Sequence, residues 1–192
     1  MRPNRETIRQ IRSLMAIALV ATAEALCQET QAETGPQAEG KVPERRIVVS
    51  IPDRKLALIE NGRVVKIYST AVGAPSSPTP TGTYKIVQRI PNPTWYGPEK
   101  VVGPGKSNPI GTRWMGLSRK GYGIHGTNSP QSIGRNASHG CVRMRNRDVE
   151  DLFARVAVGD VVELHGDRDD EIARIFRVSE IAGNTMSAGG AQ

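Results

Sequence analysis

The chain has 192 residues and a formal net charge of +7, and 38% of its residues are hydrophobic but only 4% are aromatic. This length leaves room for one domain with a sizeable core plus flanking segments, and it excludes two full domains once the N-terminal segment below is set aside. The 20 glycines and 13 prolines favour short strands joined by turns over long helices.

The first 25 residues have the pattern of a signal peptide. Four arginines precede an apolar run from Leu14 to Ala23, which is too short to span a bilayer, and small residues follow in the spacing of a cleavage site. We therefore predict a signal peptide over residues 1–25, with a membrane anchor as the alternative, and export to the periplasm or cell envelope. Lipid attachment at Cys27 is less favoured because Leu26 is bulky.

The rest of the chain divides into three parts. Residues 26–45 are polar, with glycine and proline, and are predicted to be a flexible linker. Residues 46–166 are predicted to form the folded domain, and residues 167–192 a C-terminal tail. Removal of residues 1–25 would leave a charge of about +5, which suits an anionic envelope polymer better than nucleic acid, although a merely solvated basic surface fits as well.

Short β-rich runs follow one another from residue 46. Runs 46–51, 55–60 and 63–73 are separated by a Pro-Asp turn and by an Asn-Gly pair, the strongest short signal for a hairpin. A proline-rich loop over 74–82 follows these runs. Four later runs are also predicted to be strands. These later predicted strands span 83–90, 112–118, 121–127 and 160–166.

A long loop over residues 91–111 contains five prolines. Loops of this length in a compact domain either cover a site or are disordered. Trp95 and Tyr96 in this loop, and Trp114 just after it, have the chemistry to stack on a sugar or to close over a peptide. Core packing or loop anchoring explains them equally well.

One helix is predicted near Asn146, a residue type that caps helix N-termini well. Apolar residues recur at helical spacing from Val149 to Val156, and Gly159 is the predicted end. The tail carries a second, shorter apolar pattern that indicates either a docked helix or an unstructured segment. The fold class is therefore mainly β, a sandwich or barrel of mixed sheets with one short α-helix after the cysteine loop.

Chemistry is concentrated in the stretch SHGCVRM, residues 138–144. A thiol is nucleophilic as its thiolate, and an imidazole can take the proton to leave an ion pair, so Cys141 needs a histidine partner. His125 ends a predicted strand, His139 precedes the turn, and His165 has no motif around it and reads as structural. Gly140 allows a sharp bend that could aim the N–H groups of Gly140 and Cys141 at a reacting oxygen.

The stretch HGTNSPQSIGRNASHGCVRMRNRDV, residues 125–149, closely resembles the signature of the L,D-transpeptidase catalytic domain, the YkuD-like family. PTPTGTYKI and NPIGTRWMGL, residues 78–86 and 108–117, are also similar to segments of that family, so the resemblance covers about residues 46–165. The resemblance implies that Cys141 is the nucleophile, His125 the proton donor and acceptor, and Gly126 the carbonyl that orients His125. It places His139, Gly140 and Arg143 around the site.

The resemblance further implies acyl transfer on peptidoglycan stem peptides, with no cofactor and no metal. The thiol would attack the diaminopimelate–D-alanine bond of a tetrapeptide stem and release D-alanine. Acceptors would be a second stem, an envelope lipoprotein or water. We expect no nucleic-acid partner, membrane contact only through the N-terminal segment, and a role for Arg143 in binding a substrate carboxylate.

Four other interpretations compete with this one. A sortase-like transpeptidase also uses His, Cys and Arg on a β-barrel, but the short separation of His125 and Cys141 does not suit it. A zinc site from His125, His139 and Cys141 has acceptable ligand types but no common zinc spacing. An envelope-binding module with a vestigial site would not need both His125 and Cys141. A buried structural thiol at Cys141 would not explain the signature residues around it.

Overall fold

The computed structural model describes residues 44–177, and the predictions for residues 1–43 and 178–192 lie outside that range. Residues 44–177 form eleven strands, two helices and one short 3-10 turn, Pro130–Ser132. The strands are β1 Arg45–Ser50, β2 Lys55–Glu60, β3 Arg63–Gly73, β4 Gly82–Pro91, β5 Trp95–Tyr96, β6 Val101–Val102, β7 Arg113–Leu117, β8 Gly123–His125, β9 Asn136–Ser138, β10 Val142–Met144 and β11 Val161–His165. The helices are α1 Asn146–Arg155 and α2, residues 170–177.

Nine strands form one mixed sheet in the order β10-β8-β7-β4-β11-β1-β2-β3-β9, and β10 also pairs with β3. Because β10 is bonded to both β8 and β3, the sheet closes on itself as a barrel. Three of the pairings, β1 with β11, β8 with β10 and β3 with β9, are parallel, and the others are antiparallel. The prediction of a mainly β fold with mixed sheets is confirmed.

Strand β1 is buried on both faces. Ile47 and Val49 point into the main core inside the barrel, whereas Val48 lies in a second apolar cluster with Ile172 and Phe176 of α2. Alternation along a strand places successive side chains on opposite faces, so α2 covers the outer face of the sheet. The tail therefore begins with a docked helix, and burial of a side chain such as Phe176 stabilises this packing by about 2 kcal/mol.

Helix α1 begins one residue earlier than the sequence predicts. Arg145, with extended backbone angles, occupies the N-cap position and makes no capping hydrogen bond through its side chain, so the prediction of Asn146 as the cap is wrong. The helix ends at Arg155 and not at Gly159. The predicted apolar stripe is present, since Val149, Leu152 and Val156 are buried.

Strands β9 and β10 were not predicted, because three residues are too few to show a hydrophobic period. The loop over residues 91–111 is ordered and contains the two-stranded hairpin β5–β6. Within residues 44–177, neither helix has the length and apolar character that crossing a membrane requires.

Candidate active site

His125 ends strand β8, and Cys141 immediately precedes strand β10, which pairs in parallel with β8. In the β8–β10 pairing Arg143 lies opposite His125, and Cys141 lies two residues before Arg143 in the chain. The sheet thus brings the predicted thiol and imidazole together.

Both side chains line a cleft with a volume of 790 Å³. The floor is formed by residues of β4, β7, β8 and β10, and one wall is formed by hairpin β5–β6, including Trp95 and Tyr96. The lining contains no Asp or Glu, whereas Lys100 and Arg143 are basic. The sequence leaves open whether the long proline-rich loop covers a site or is disordered, and this wall agrees with the first alternative.

The imidazole of His125 is held in one orientation. Its Nδ1 lies 2.6 Å from the carbonyl oxygen of Gly126, and because a carbonyl only accepts, Nδ1 carries the proton and Nε2 is left as the basic nitrogen. His125 is 5% exposed, and its ring is stacked on Trp114 with centroids 5.7 Å apart. Burial lowers the pKa of His125 from 6.5 to about 4, against the opposing effect of the Gly126 carbonyl, so the ring is neutral at pH 7.

The thiol of Cys141 is protonated as well. Its Sγ lies 3.7 Å from the carbonyl oxygen of Gly121, to which the S–H donates. Burial raises the pKa of Cys141, and the N–H of Gly123 and the charge of Arg143 oppose that effect. Burial therefore favours the neutral forms of both groups over the ion pair expected from the sequence, because it penalises both charged forms.

Gly140 makes the sharp bend that the sequence predicts. Its φ of 105° is disfavoured for other residues, and a Cβ there would lie 2.7 Å from the ring of Tyr122. The N–H of Gly140 donates to the hydroxyl of Ser138 at 3.1 Å, and that hydroxyl donates to the carbonyl of Cys141 at 2.5 Å. In this conformation the Gly140 N–H therefore donates within the loop, whereas the sequence predicts that it donates to a reacting oxygen.

Arg143 has no carboxylate partner among residues 44–177. Its Nη1 lies 3.4 Å from the hydroxyl of Ser132, and its Nε is buried with no hydrogen-bond partner. Burial lowers the pKa of Arg143, and the adjacent Cys141 opposes this. A half-buried guanidinium with unused donors at a cleft is suited to an anionic or carbonyl group of a ligand. His139 also lines the cleft and is exposed.

Asn108 holds the loop that forms the cleft wall, and the sequence analysis gave it no role. It is 0% exposed, and its Nδ2 donates to the carbonyls of Pro93 at 2.6 Å and Gly103 at 3.1 Å, on either side of hairpin β5–β6. Its Oδ1 accepts from the N–H of Ile110 at 2.9 Å. The sequence signal for this role was the segment NPIG, residues 108–111 at the end of the long loop, where a polar residue stands with Pro and Gly.

His165 lies apart from the cleft lining, with Nε2 3.2 Å from a carboxylate oxygen of Glu163, in agreement with a structural role. His125, His139 and Cys141 do not form a group that could hold a metal ion, and no cluster of three or more His, Cys, Asp or Glu side chains elsewhere in the described part of the chain does so.

The closed mixed β-barrel thus carries a cleft that is lined by both a cysteine and a histidine. The family model described as the L,D-transpeptidase catalytic domain, YkuD, matches residues 44–164. The chain therefore belongs to the L,D-transpeptidase family, as its sequence motifs indicate.

Sequence relatives bear the same family name. The protein named L,D-transpeptidase YkuD of Bacillus licheniformis is 44% identical over 119 residues, which are 62% of this chain and 64% of that protein. The protein named L,D-transpeptidase YqjB of Bacillus subtilis is 36% identical over 138 residues, which are 69% of this chain and 78% of that protein. The chain thus spans somewhat less than two thirds of the Bacillus licheniformis relative.

Solved structures share the fold. An L,D-transpeptidase from Mycobacterium smegmatis matches with a TM-score of 0.55 at 24% identity, over 65% of this chain and 59% of that one. The Enterococcus faecium L,D-transpeptidase C442S mutant matches with a TM-score of 0.55 at 22% identity, over 64% of this chain and 50% of that one. At these identities the likeness establishes the fold.

Proposed function

We propose that this chain is a cysteine-dependent L,D-transpeptidase that acts on the tetrapeptide stems of peptidoglycan. The observation that carries the proposal is that Cys141, immediately before β10, and His125, at the end of β8, line the same open cleft. A thiol and an oriented imidazole that line one cleft are the components of nucleophilic acyl transfer.

In the first half of the reaction, Nε2 of His125 takes the proton of the Cys141 thiol as Sγ attacks the carbonyl carbon at the L-centre of diaminopimelate. Because both groups are neutral at rest, this proton transfer occurs during the attack, with His125 as general base. The C–N bond to D-alanine then breaks, and the proton on Nε2 goes to the departing amine. A thioester on Cys141 remains.

In the second half, an amine acceptor attacks the thioester carbonyl and gives its proton to Nε2. The C–S bond breaks, and the thiolate of Cys141 recovers the proton. A second stem peptide would give a cross-link, an envelope lipoprotein would be attached to the wall, and water would give a shortened stem.

The charge of the cleft supports a substrate rich in carboxylates. Arg143 has unused donors beside the nucleophile, Lys100 lines the wall, and no Asp or Glu lies in the lining. We assign Arg143 to a carboxylate or carbonyl of the stem. Such a substrate lies in the cell envelope, which is where the predicted signal segment would deliver the chain.

Incubation of the purified protein with a disaccharide-tetrapeptide, followed by mass spectrometry, tests the proposal. We expect release of D-alanine and formation of a dimer, and loss of both in Cys141→Ala and in His125→Gln. Release without dimers would identify water as the acceptor and a carboxypeptidase. No release by the folded wild-type protein would contradict the proposal and leave an envelope-binding module.

A further inference from the structure

Asn146 does not cap its helix, and its side chain is directed elsewhere. Its Oδ1 accepts a hydrogen bond from the N–H of Thr127 at 3.0 Å. This hydrogen bond connects the first turn of α1 to the segment that follows β8. Sequence patterns alone would give this asparagine a local role at the helix terminus. The observed bond instead ties the helix to the segment that follows His125.

The oxygen of Asn146 fits between two glycines. A Cβ on Gly126 would lie 2.3 Å from this Oδ1, and a Cβ on Gly111 would lie 2.2 Å from it. Real Cβ contacts are never this short, so a side chain at either position would displace Asn146. Two glycines in separate loops thus leave the space that one asparagine oxygen occupies.

The N–H of Thr127 belongs to the same peptide unit as the carbonyl of Gly126. A trans peptide unit is planar, and residues 44–177 contain no cis peptide bond, so the hydrogen bond to the N–H fixes the direction of the carbonyl. That carbonyl accepts the Nδ1–H of His125 at 2.6 Å. A hydrogen bond on the N–H side of an amide also strengthens its oxygen as an acceptor.

We propose that Asn146 is a positioning residue that holds His125 in its Nδ1–H tautomer, by fixing the peptide unit between Gly126 and Thr127. This inference rests on the proposed function for its kinetic consequence, because His125 is the general base there. Without the bond, the Gly126 carbonyl is free to rotate, and the imidazole can turn or place its proton on Nε2, where it no longer accepts the proton of Cys141. Two groups that can carry charge face the ring: the guanidinium of Arg143 on β10 and the thiol of Cys141. Neither residue is changed in the variants below.

The tautomer of His125 is read directly by ¹⁵N NMR of protein labelled at histidine, at pH 7, with the signal assigned from His125→Gln. We expect a single Nδ1–H tautomer in the wild type and a mixture in Asn146→Ala. D-alanine release by Asn146→Ala should fall at least about tenfold in kcat, with KM within about twofold, because misorientation affects the proton transfer and not stem binding.

Two further variants make the comparison specific. Asn146→Asp keeps an oxygen acceptor for the Thr127 N–H and should restore both the tautomer and kcat to within a few fold. Asn128→Ala, in the same segment, removes an exposed bond to the carbonyl of Ser107 and should change neither. If thermal unfolding shows that Asn146→Ala does not fold, the near-isosteric Asn146→Leu replaces it with the same expectations.

An unchanged tautomer and kcat in the folded variant would overturn the inference, and so would an equal change in Asn128→Ala. The NMR result does not depend on transpeptidase activity. A wild-type protein that leaves tetrapeptides intact, yet loses its single tautomer in Asn146→Ala, would refute the proposed function and support the positioning role.

Discussion

The ring of Trp114 is stacked on the imidazole of His125, with a ring-centroid distance of 5.7 Å and planes inclined by 26°. The two residues are direct partners in the β7–β8 register, and Arg143 is the partner of His125 on the other side. His125 is therefore held between an aromatic face and a cation. Both neighbours favour the neutral imidazole, the indole by excluding water and the guanidinium by its charge.

The pH dependence of acylation should reflect this environment. Because the base is neutral His125 and its pKa is lowered to about 4, we expect kcat/KM for D-alanine release to be constant between about pH 5 and 7 and to fall as the pH drops through about 4. A histidine with its pKa at the ordinary value of 6.5 would instead cause the fall near pH 6.5. An acid limb near 6.5 in a wild-type pH profile would contradict the buried neutral base.

Replacement of the stacked indole should raise the pKa of His125. Trp114→Ala admits water to the ring, so the pKa should move from about 4 toward 6.5, and activity at pH 5 should drop relative to pH 7. The shift is measured by NMR titration of His125 and by the acid limb of kcat/KM. Trp95→Ala, which removes an indole from the same cleft but not from the histidine, should leave the limb in place.

Arg143 should contribute to substrate binding through its charge. If it pairs with a stem carboxylate, Arg143→Gln should cost about 2 kcal/mol, roughly a 30-fold loss in kcat/KM. The loss should shrink for a stem whose free carboxylates are amidated. Arg145→Gln is the matched control, because Arg145 is next to the site in sequence but lies 3.8 Å from the carboxylate of Asp148. Equal losses for free and amidated stems would show that the charge pairing is absent.

Asn108 should determine the shape of the cleft wall. Asn108→Ala leaves the carbonyls of Pro93 and Gly103 without their donor, so we expect a loss of about 2 kcal/mol in the free energy of unfolding. Hairpin β5–β6 would be held less firmly, and KM for the stem should rise more than kcat falls. Chemical denaturation and steady-state kinetics measure the two effects. An unchanged KM in a folded variant would show that the wall does not contact the stem.

Much of the barrel could be predicted from sequence because long runs such as β1 to β4 carry alternating or continuous apolar patterns with clear turn residues between them. The pairing of β10 with both β8 and β3 could not, because three-residue strands have no period and depend on backbone bonds that are distant in sequence. The sequence therefore predicts either a sandwich or a barrel and does not distinguish between them.

The candidate site likewise has some features that the sequence predicts and others that it does not. The roles of Cys141, His125 and Gly126 can be predicted from residue chemistry and from a specific family resemblance. The direction of a hydrogen bond cannot be predicted in this way. Asn146 was predicted as a helix cap and instead binds Thr127, and the Gly140 N–H was expected to face the reaction and instead binds Ser138. Both outcomes depend on how separate segments meet in three dimensions, which local propensity does not encode.

The central claim is that the sulfur of Cys141 forms a covalent bond with the stem while His125 carries the proton. Intact-protein and peptide mass spectrometry after rapid quenching of a reaction with tetrapeptide measures this directly. We predict an adduct on Cys141 equal to the stem minus D-alanine, which is absent in Cys141→Ala and strongly reduced in His125→Gln. Release of D-alanine by Cys141→Ala at the wild-type rate, or an adduct on another residue, would contradict the claim.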